Sequence, residues 1–225
     1  MLDSPYLTLG TVFAYLALLT GIAEGLSKLP QTGPEITRKV VHIGAGNVML
    51  LAWGFSVPRW LILVASVLAA LIALTSYVLP ILPSLNSVGR QSGGTFFYAV
   101  SIGAVAAVFM PPHFVYGVIG ILVMAWGDGL AAVCGQRWGR HHYQVWGSTK
   151  SWEGSAAMAI ASTLVTGLLL TVVFGVSLAV WGIAIVVGLI ATLLEALSQW
   201  GIDNLTVPLG SAGLSFLLAQ WFLGS

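Results

Sequence analysis

Eight apolar runs, separated by polar residues or by Gly/Pro punctuation, constrain the fold of this chain more than any other feature. They cover residues 6–22, 40–55, 60–79, 96–110, 114–126, 156–174, 178–194 and 207–223. About 20 apolar residues in an α-helix cross the hydrocarbon layer of a membrane. The pattern therefore predicts an all-α fold, a polytopic integral membrane helix bundle with about seven or eight transmembrane helices.

The fourth and fifth runs leave two topologies open. Residues 96–110 and 114–126 are short for a bilayer, and they flank Pro111 and Pro112. They are either two short spans or a broken, re-entrant pair. A re-entrant pair is tolerated at membrane depth only where it is buried in protein or lines a water-filled cavity.

Composition excludes a soluble globule. Of 225 residues, 58% are hydrophobic and 7% are charged, whereas soluble domains carry about 25% charged residues. Mean hydropathy is +0.97, so apolar side chains must face lipid as well as a core. No repeat and no linker divides the chain, and we expect one membrane-embedded domain over residues 1–225.

Basic residues are distributed unevenly between the two sets of connections. With the N-terminus outside, the inner connections are residues 23–39, 80–95, 127–155 and 195–206. They hold Lys28, Arg38, Lys39, Arg90, Arg137, Arg140 and Lys150, and the outer connections hold only Arg59. This bias predicts that the inner connections are cytoplasmic. The net charge is +1 with no basic run, which gives no support for nucleic-acid binding and favours lipids and small anions as partners.

Acidic residues follow the same asymmetry, although the positive-inside rule does not apply to them. The inner connections hold Glu24, Glu35, Asp128, Glu153, Glu195 and Asp203, and only Asp3 lies elsewhere. A shared site for a metal cation and an anionic substrate is the simplest cause of this clustering.

Asp128 is the most informative acidic residue because it directly follows an apolar run. A carboxylate at membrane depth is costly and usually functional. Gly127 and Gly129 on either side allow close approach of a ligand. Carboxylate oxygens suit a hard cation such as Mg²⁺, so we expect Asp128 to bind metal. The alternative is an Asp that caps a helix beginning at Gly129.

The segment after Asp128 supplies groups suited to an anionic polyphosphate. Arg137, Arg140, His141 and His142 lie close together in the sequence, and arginine binds phosphate oxygens well. For Arg137 and Arg140 the alternative is a role as topology determinants beside lipid headgroups.

Lys150, Ser151 and Glu153 lie in the sequence STKSWEGS, directly before the next apolar run. Hydroxyls and backbone N–H groups at a helix N-terminus form an anion site, and we expect Lys150 and Ser151 to bind phosphate there. Glu153 is a second candidate metal ligand, and its alternative is a capping box with a preceding Ser or Thr.

Arg38 and His42 are one helical turn apart at the start of the second run and can act on one ligand. His42 is a candidate proton acceptor because its ordinary pKa is near 6.5; its alternative is a histidine satisfied by helix packing. Gly44 and Gly46 are expected to permit tight helix contact rather than to form a nucleotide loop.

Two further inner segments carry the remaining candidates. The segment GRQSGGTFFY opens the fourth run with a glycine pair that exposes backbone donors, and EALSQWGIDNLTVP follows the seventh run. They supply Arg90, Gly93, Gly94 and Asn204 as candidate nucleotide-binding residues, and Glu195 and Asp203 as candidate metal ligands. The alternative for Asp203 and Asn204 is a turn formed for local reasons.

The segments RKVVHIGAG, SGGTFFY, GDGLAAVCGQRWGR, STKSWEGS and EALSQWGIDNLTVPL together resemble the phytol kinase and polyprenol (dolichol) kinase family, in particular its cyanobacterial and plant phytol kinase branch. The resemblance covers most of the chain beyond Glu35. GDGLA…GQRWGR with KSWEGS is also similar, more distantly, to segments of the CDP-diacylglycerol synthases.

The resemblance implies Mg²⁺-dependent phosphoryl transfer from a nucleoside triphosphate, typically CTP, to phytol or a related isoprenoid alcohol such as geranylgeraniol or farnesol. The product would enter tocopherol synthesis or phytol salvage, and a cyanobacterial enzyme would reside in the plasma or thylakoid membrane. We expect catalytic roles for Asp128, Lys150, His42 and Asp203, with Glu153 and Glu195 as further metal ligands.

Two other function classes stay open. A cytidylyltransferase that makes a CDP-lipid would use similar residues and differ only in its product. A small-anion transporter would also place polar residues near spans, although its site is expected near the midplane between internal repeats.

Overall fold

The computed structural model describes residues 5–29, 33–78 and 93–224. The apolar runs form helices because a backbone in hydrocarbon must satisfy its hydrogen bonds within its own segment. The helices are α1 (Pro5–Ser27), α2 (Pro34–Gly54), α3 (Arg59–Val78), α4 (Gly94–Phe109), α5 (Phe114–Leu122), α6 (Gly129–Trp138), α7 (Trp152–Phe174), α8 (Leu178–Leu197) and α9 (Asp203–Leu223). A π-helical segment, Val123–Asp128, joins α5 to α6, and two strands, β1 (His142–Val145) and β2 (Ser148–Ser151), precede α7.

The predicted polytopic helix bundle is confirmed. In the described ranges, six helical segments are long and apolar enough to span a membrane. The shorter α4 has 16 residues, and α2 has 21 residues with its charged residues in the first turns.

The segment Phe114–Trp138 corrects the sequence interpretation. We expected a connection to begin at Gly127, whereas α5, the π-helical segment and α6 form one continuous helical stretch of 25 residues. The helix can continue through Asp128 because this carboxylate is paired inside the bundle, as described below. Helix α4 leads from Gly93, which bonds Trp200, to Met110, whose carbonyl accepts from Arg59 Nη1 at 3.3 Å, and this arrangement favours two spans over the re-entrant alternative.

Helix α5 lies at the centre of the bundle, in contact with α2, α4, α7 and α9. Val118, Ile119 and Ile121 are fully buried. Close helix contacts surround this core, and a Cβ at Gly46 of α2 would lie 2.7 Å from the Tyr98 hydroxyl oxygen of α4. Gly46 thus permits tight helix contact, as the sequence predicts. The central position of α5 carries Asp128 into the interior.

Described parts of the predicted inner connections, residues 34–39, 93–95, 127–155 and 195–206, meet at one end of the bundle, which we call the polar end. It contains the first turns of α2, the β1–β2 hairpin and residues 198–202. The Gly93 N–H donates to the Trp200 carbonyl at 3.1 Å, and Gln199 Nε2 donates to the Trp146 carbonyl. These contacts confirm that the segments share one end.

The hairpin is a feature that we did not predict. Strands β1 and β2 pair antiparallel, with Tyr143 opposite Lys150. The two turn residues, Trp146 and Gly147, have φ of 47° and 81°, as the type I′ turns that join tight hairpins require. The turn was missed because a Trp-Gly pair lacks the usual Asn-Gly or Asp-Gly signature.

This topology predicts the labelling of introduced cysteines. Cys134 is the only native cysteine, so a Cys134→Ser background allows single cysteines at exposed sites. We expect His142→Cys and Ile202→Cys to react with an impermeant thiol reagent from one side of sealed vesicles, and Arg59→Cys to react from the other. Labelling of His142→Cys and Ile202→Cys from opposite sides would contradict a single polar end.

Candidate active site

A buried ion pair between α2 and the π-helical segment forms the centre of the polar end. Lys39 Nζ lies 2.5 Å from Asp128 Oδ2, and their side chains are only 9% and 12% exposed. Buried charges are costly unless they are paired. The pairing explains how Asp128 is accommodated within an apolar helix, and it places a carboxylate and an ammonium together in the interior.

His42 and Tyr98 lie against this ion pair. His42 Nε2 is 3.7 Å from Asp128 Oδ2, and the rings of His42 and Tyr98 are 4.5 Å apart. His42 Nε2 and the Tyr98 hydroxyl are buried and have no hydrogen-bond partner within the described ranges. Buried polar atoms are normally hydrogen-bonded, so these two atoms beside the ion pair are candidate contacts for a ligand group.

A second ion pair attaches the hairpin to the end of α8. Lys150 Nζ lies 2.5 Å from Glu195 Oε1 and 2.6 Å from the Glu195 carbonyl oxygen. Lys150 is on β2, and both side chains are mostly buried. The third ammonium proton stays available to an incoming anion, since Lys carries three donors.

Asp203 and Asn204 lie at the start of α9. Asn204 Nδ2 donates to Asp203 Oδ1 at 3.2 Å and to the Gly201 carbonyl at 3.3 Å. Asp203 has no ion pair within 4 Å in the part of the chain that the structure describes, yet it interacts electrostatically with Asp128, Lys39 and Lys150. Among the described residues, Asp203 is therefore a half-buried carboxylate that interacts with both ion pairs and has no cation within 4 Å.

The connection before α9 is held by glycines. Gly201 has a φ of +84°, and a Cβ there would lie 2.7 Å from Gly94 Cα. Only glycine fits both the conformation and the space. The Gly93 N–H is already bonded to the Trp200 carbonyl, so this pair positions the α8–α9 connection, and the expected exposed donor at Gly93 is used within the protein.

Ser151 and Glu153 form local contacts at the start of α7. Ser151 Oγ accepts from the Gly154 N–H at 3.1 Å and caps the helix. Glu153 Oε1 is 2.7 Å from His141 Nδ1. The capping-box alternative is wrong, because Gly154 rather than Glu153 occupies the third helical position. The capping alternative for Asp128 is also wrong, since Asp128 is helical and its side chain makes no cap hydrogen bond.

The predicted arginines are dispersed. Arg38 makes two hydrogen bonds to Glu35, at 2.6 and 3.0 Å. Arg137 is exposed and lies over the Trp138 ring at 5.6 Å, and Arg140 is exposed beside the hairpin. Arg90 lies outside the described residues.

The four candidate metal ligands do not form a ready-made cage. Within residues 5–29, 33–78 and 93–224, no group of three or more His, Cys, Asp or Glu side chains is arranged to hold a metal ion. Asp128, Glu153 and Glu195 each already face a Lys or a His. This donor set still suits Mg²⁺, which is usually bound by one or two carboxylates together with substrate phosphates and water.

Lys39 and Tyr98 are further candidate site residues that the sequence analysis did not select. A signal for Lys39 was present, because it lies three residues before His42 on one helix face and a carboxylate in an apolar helix needs a cation. Tyr98 lies in the segment SGGTFFY that carries the family resemblance, but its contact with His42 depends on how α4 packs against α2 and could not be predicted.

Comparison with known proteins identifies the family. The chain is 51% identical over 220 residues to a phytol kinase of Synechocystis sp., covering 97% of this chain and 94% of that protein. It is 29% identical to a probable chloroplastic phytol kinase of Triticum aestivum, covering 82% and 67%. It is 27% identical to phytol kinase 1, chloroplastic, of Arabidopsis thaliana, covering 86% and 70%. No family model and no solved structure matches the chain. The chain therefore belongs to the phytol kinase family and is a phosphotransferase with an alcohol acceptor.

Proposed function

We propose that this protein transfers the terminal phosphoryl group of CTP to phytol or a related isoprenoid alcohol at the cytoplasmic face of its membrane. The observation that carries the proposal is the buried Lys39–Asp128 ion pair with the unpaired polar atoms of His42 and Tyr98 beside it. The positive-inside bias supports the cytoplasmic side. The relatives named phytol kinases support the acceptor.

Phosphoryl transfer depends mainly on positioning and charge neutralisation. In this proposal Lys39 and Lys150 stabilise the negative charge of the phosphates from two sides. Asp128 and Asp203 would hold Mg²⁺, because the two carboxylates lie close enough to interact electrostatically and Asp203 has no ion-pair partner within 4 Å among the described residues. The metal, when bound, supplies further neutralisation of phosphate oxygens. The protein's role is to fix these groups in a dry interior.

The alcohol can remain in the membrane during the reaction. Its hydroxyl oxygen attacks the terminal phosphorus, the bond between that phosphorus and the bridging oxygen of CTP breaks, and CDP leaves with that oxygen. The hydroxyl proton goes to a carboxylate or imidazole within reach. Asp203 and His42 are the candidates, because each lies near the Lys39–Asp128 pair with an atom free to accept.

The product distinguishes this proposal from its alternatives. With purified protein, Mg²⁺, phytol and γ-labelled CTP, we expect label in a lipid-soluble monophosphate and CDP as the by-product. Labelled UTP and ATP, and a panel of C10 to C20 isoprenoid alcohols, then define the donor and the acceptor. A cytidylyltransferase would instead need a phosphorylated lipid, release labelled pyrophosphate and place cytidine in the lipid. That outcome, without alcohol phosphorylation, would overturn the proposal.

A further inference from the structure

A groove at the polar end is lined mainly by apolar side chains, unlike the ion-paired residues of the candidate active site. It lies between the hairpin turn, the end of α8 and the start of α9, and its volume is about 430 Å³. Its apolar lining consists of Trp146, Leu194, Leu197, Trp200 and Ile202.

The two tryptophans of the groove have exposed side chains and unfavourable backbone conformations. Trp146 and Trp200 are 72% and 75% exposed, and their φ values are 47° and 60°. Bulky residues rarely adopt this left-handed region, and such strain persists where the surrounding structure imposes it and often has a functional reason. Here Gly147 and Gly201, which follow them, complete the two turns that fix both indoles.

The lining selects for an apolar occupant. None of the described residues that line the groove carries a charged side chain, so this lining offers no cation to a triphosphate. The polar lining includes Ser198 and Thr206, whose hydroxyl oxygens are 3.2 Å apart. A lipid chain with one hydroxyl matches this combination better than a nucleotide does.

Two residues that line the groove are chain neighbours of candidate reactive groups. Leu194 directly precedes Glu195, the partner of Lys150, and Ile202 directly precedes Asp203. We propose that the groove binds the isoprenoid chain of the alcohol beside Trp146 and Trp200 and brings its hydroxyl to Asp203. This inference rests on the proposed function, because it takes a lipid alcohol as the acceptor.

Asparagine variants test the indoles with little risk to the fold. Asn tolerates the left-handed conformation and suits the first position of a type I′ turn, so Trp146→Asn and Trp200→Asn remove the rings and retain the turns. We expect KM for a C20 alcohol to rise roughly tenfold in each, as for the loss of one large apolar contact, while KM for CTP stays unchanged. The control is Trp60→Ala, a 64% exposed tryptophan at the opposite end, which should alter neither KM.

Photocrosslinking gives a readout that does not need turnover. A C20 alcohol with a diazirine near its tail should label residues 143–149 or 194–206 in the wild type, and less so in the Trp146→Asn/Trp200→Asn double variant. Labelling confined to other segments, an unchanged alcohol KM, or a rise in KM for CTP instead would each overturn the groove assignment. Labelling of the groove in a protein that phosphorylates no alcohol would uphold the groove and reject the proposed kinase activity.

Discussion

Asp128→Asn is expected to reduce kcat/KM at least ~10²-fold, the scale for removal of one key electrostatic group. The substitution keeps the shape of the side chain but removes the charge that faces Lys39 at 2.5 Å. It also leaves Lys39 buried without a counter-charge, which costs about 3–5 kcal/mol when one partner of a buried pair is removed. We therefore expect both the initial rate and the thermal unfolding temperature in detergent to fall.

A double variant separates the catalytic effect from the structural one. Replacing a buried ion pair by apolar residues of similar volume is often neutral or stabilising, so Lys39→Met/Asp128→Leu should recover thermal stability without recovering activity. Glu24→Gln is the matched control, because Glu24 belongs to an exposed ion pair with Lys28. A double variant with wild-type stability and wild-type rates would show that the Lys39–Asp128 pair is structural only.

The architecture follows from the sequence because each apolar run must bond its own backbone in hydrocarbon. The grouping of the inner segments was also predictable, since the distribution of Lys and Arg determines orientation. The hairpin could not be predicted, because its turn has Trp146 at the position where Asn or Asp gives the usual signal. Likewise, the apolar run that ends before Asp128 looked like the end of a helix. No neighbouring residue in the sequence shows that Lys39 of α2 pairs with the Asp128 carboxylate.

The proximity of several candidate residues could be predicted better than their pairing. Asp128, His42, Lys150, Glu195 and Asp203 do lie near one another at the polar end. Their pairing could not be predicted, since it depends on how α2 packs against the π-helical segment and how the hairpin meets α8. Ser151, predicted to bind phosphate, also caps a helix, because a hydroxyl before a helix accepts from its free backbone donors.

Lys150→Met is expected to lower kcat/KM for CTP on the order of 10²-fold, as for loss of one electrostatic group at the phosphates, and to change KM for the alcohol little. Methionine keeps the length of the side chain and removes its charge. The Lys150 ammonium lies 2.5 Å from Glu195 Oε1 and uses two of its three donors there, which fixes it beside the site. Lys150→Arg should keep part of the activity, because a guanidinium also binds phosphate but in a larger fork.

The control for Lys150→Met is Lys28→Met, which removes an ammonium from the exposed pair with Glu24, where the charges are 3.3 Å apart and the side chains 72% and 66% exposed. Exposed pairs contribute about 0–1 kcal/mol, so this variant should retain wild-type rates.

A purely structural role for Lys150, as an anchor of the hairpin on α8, makes a different prediction. The apolar pair Lys150→Met/Glu195→Met would then restore both stability and CTP kinetics, because it removes the unpaired carboxylate that Lys150→Met leaves behind. We expect it to restore stability alone, because the phosphates would still lack the ammonium.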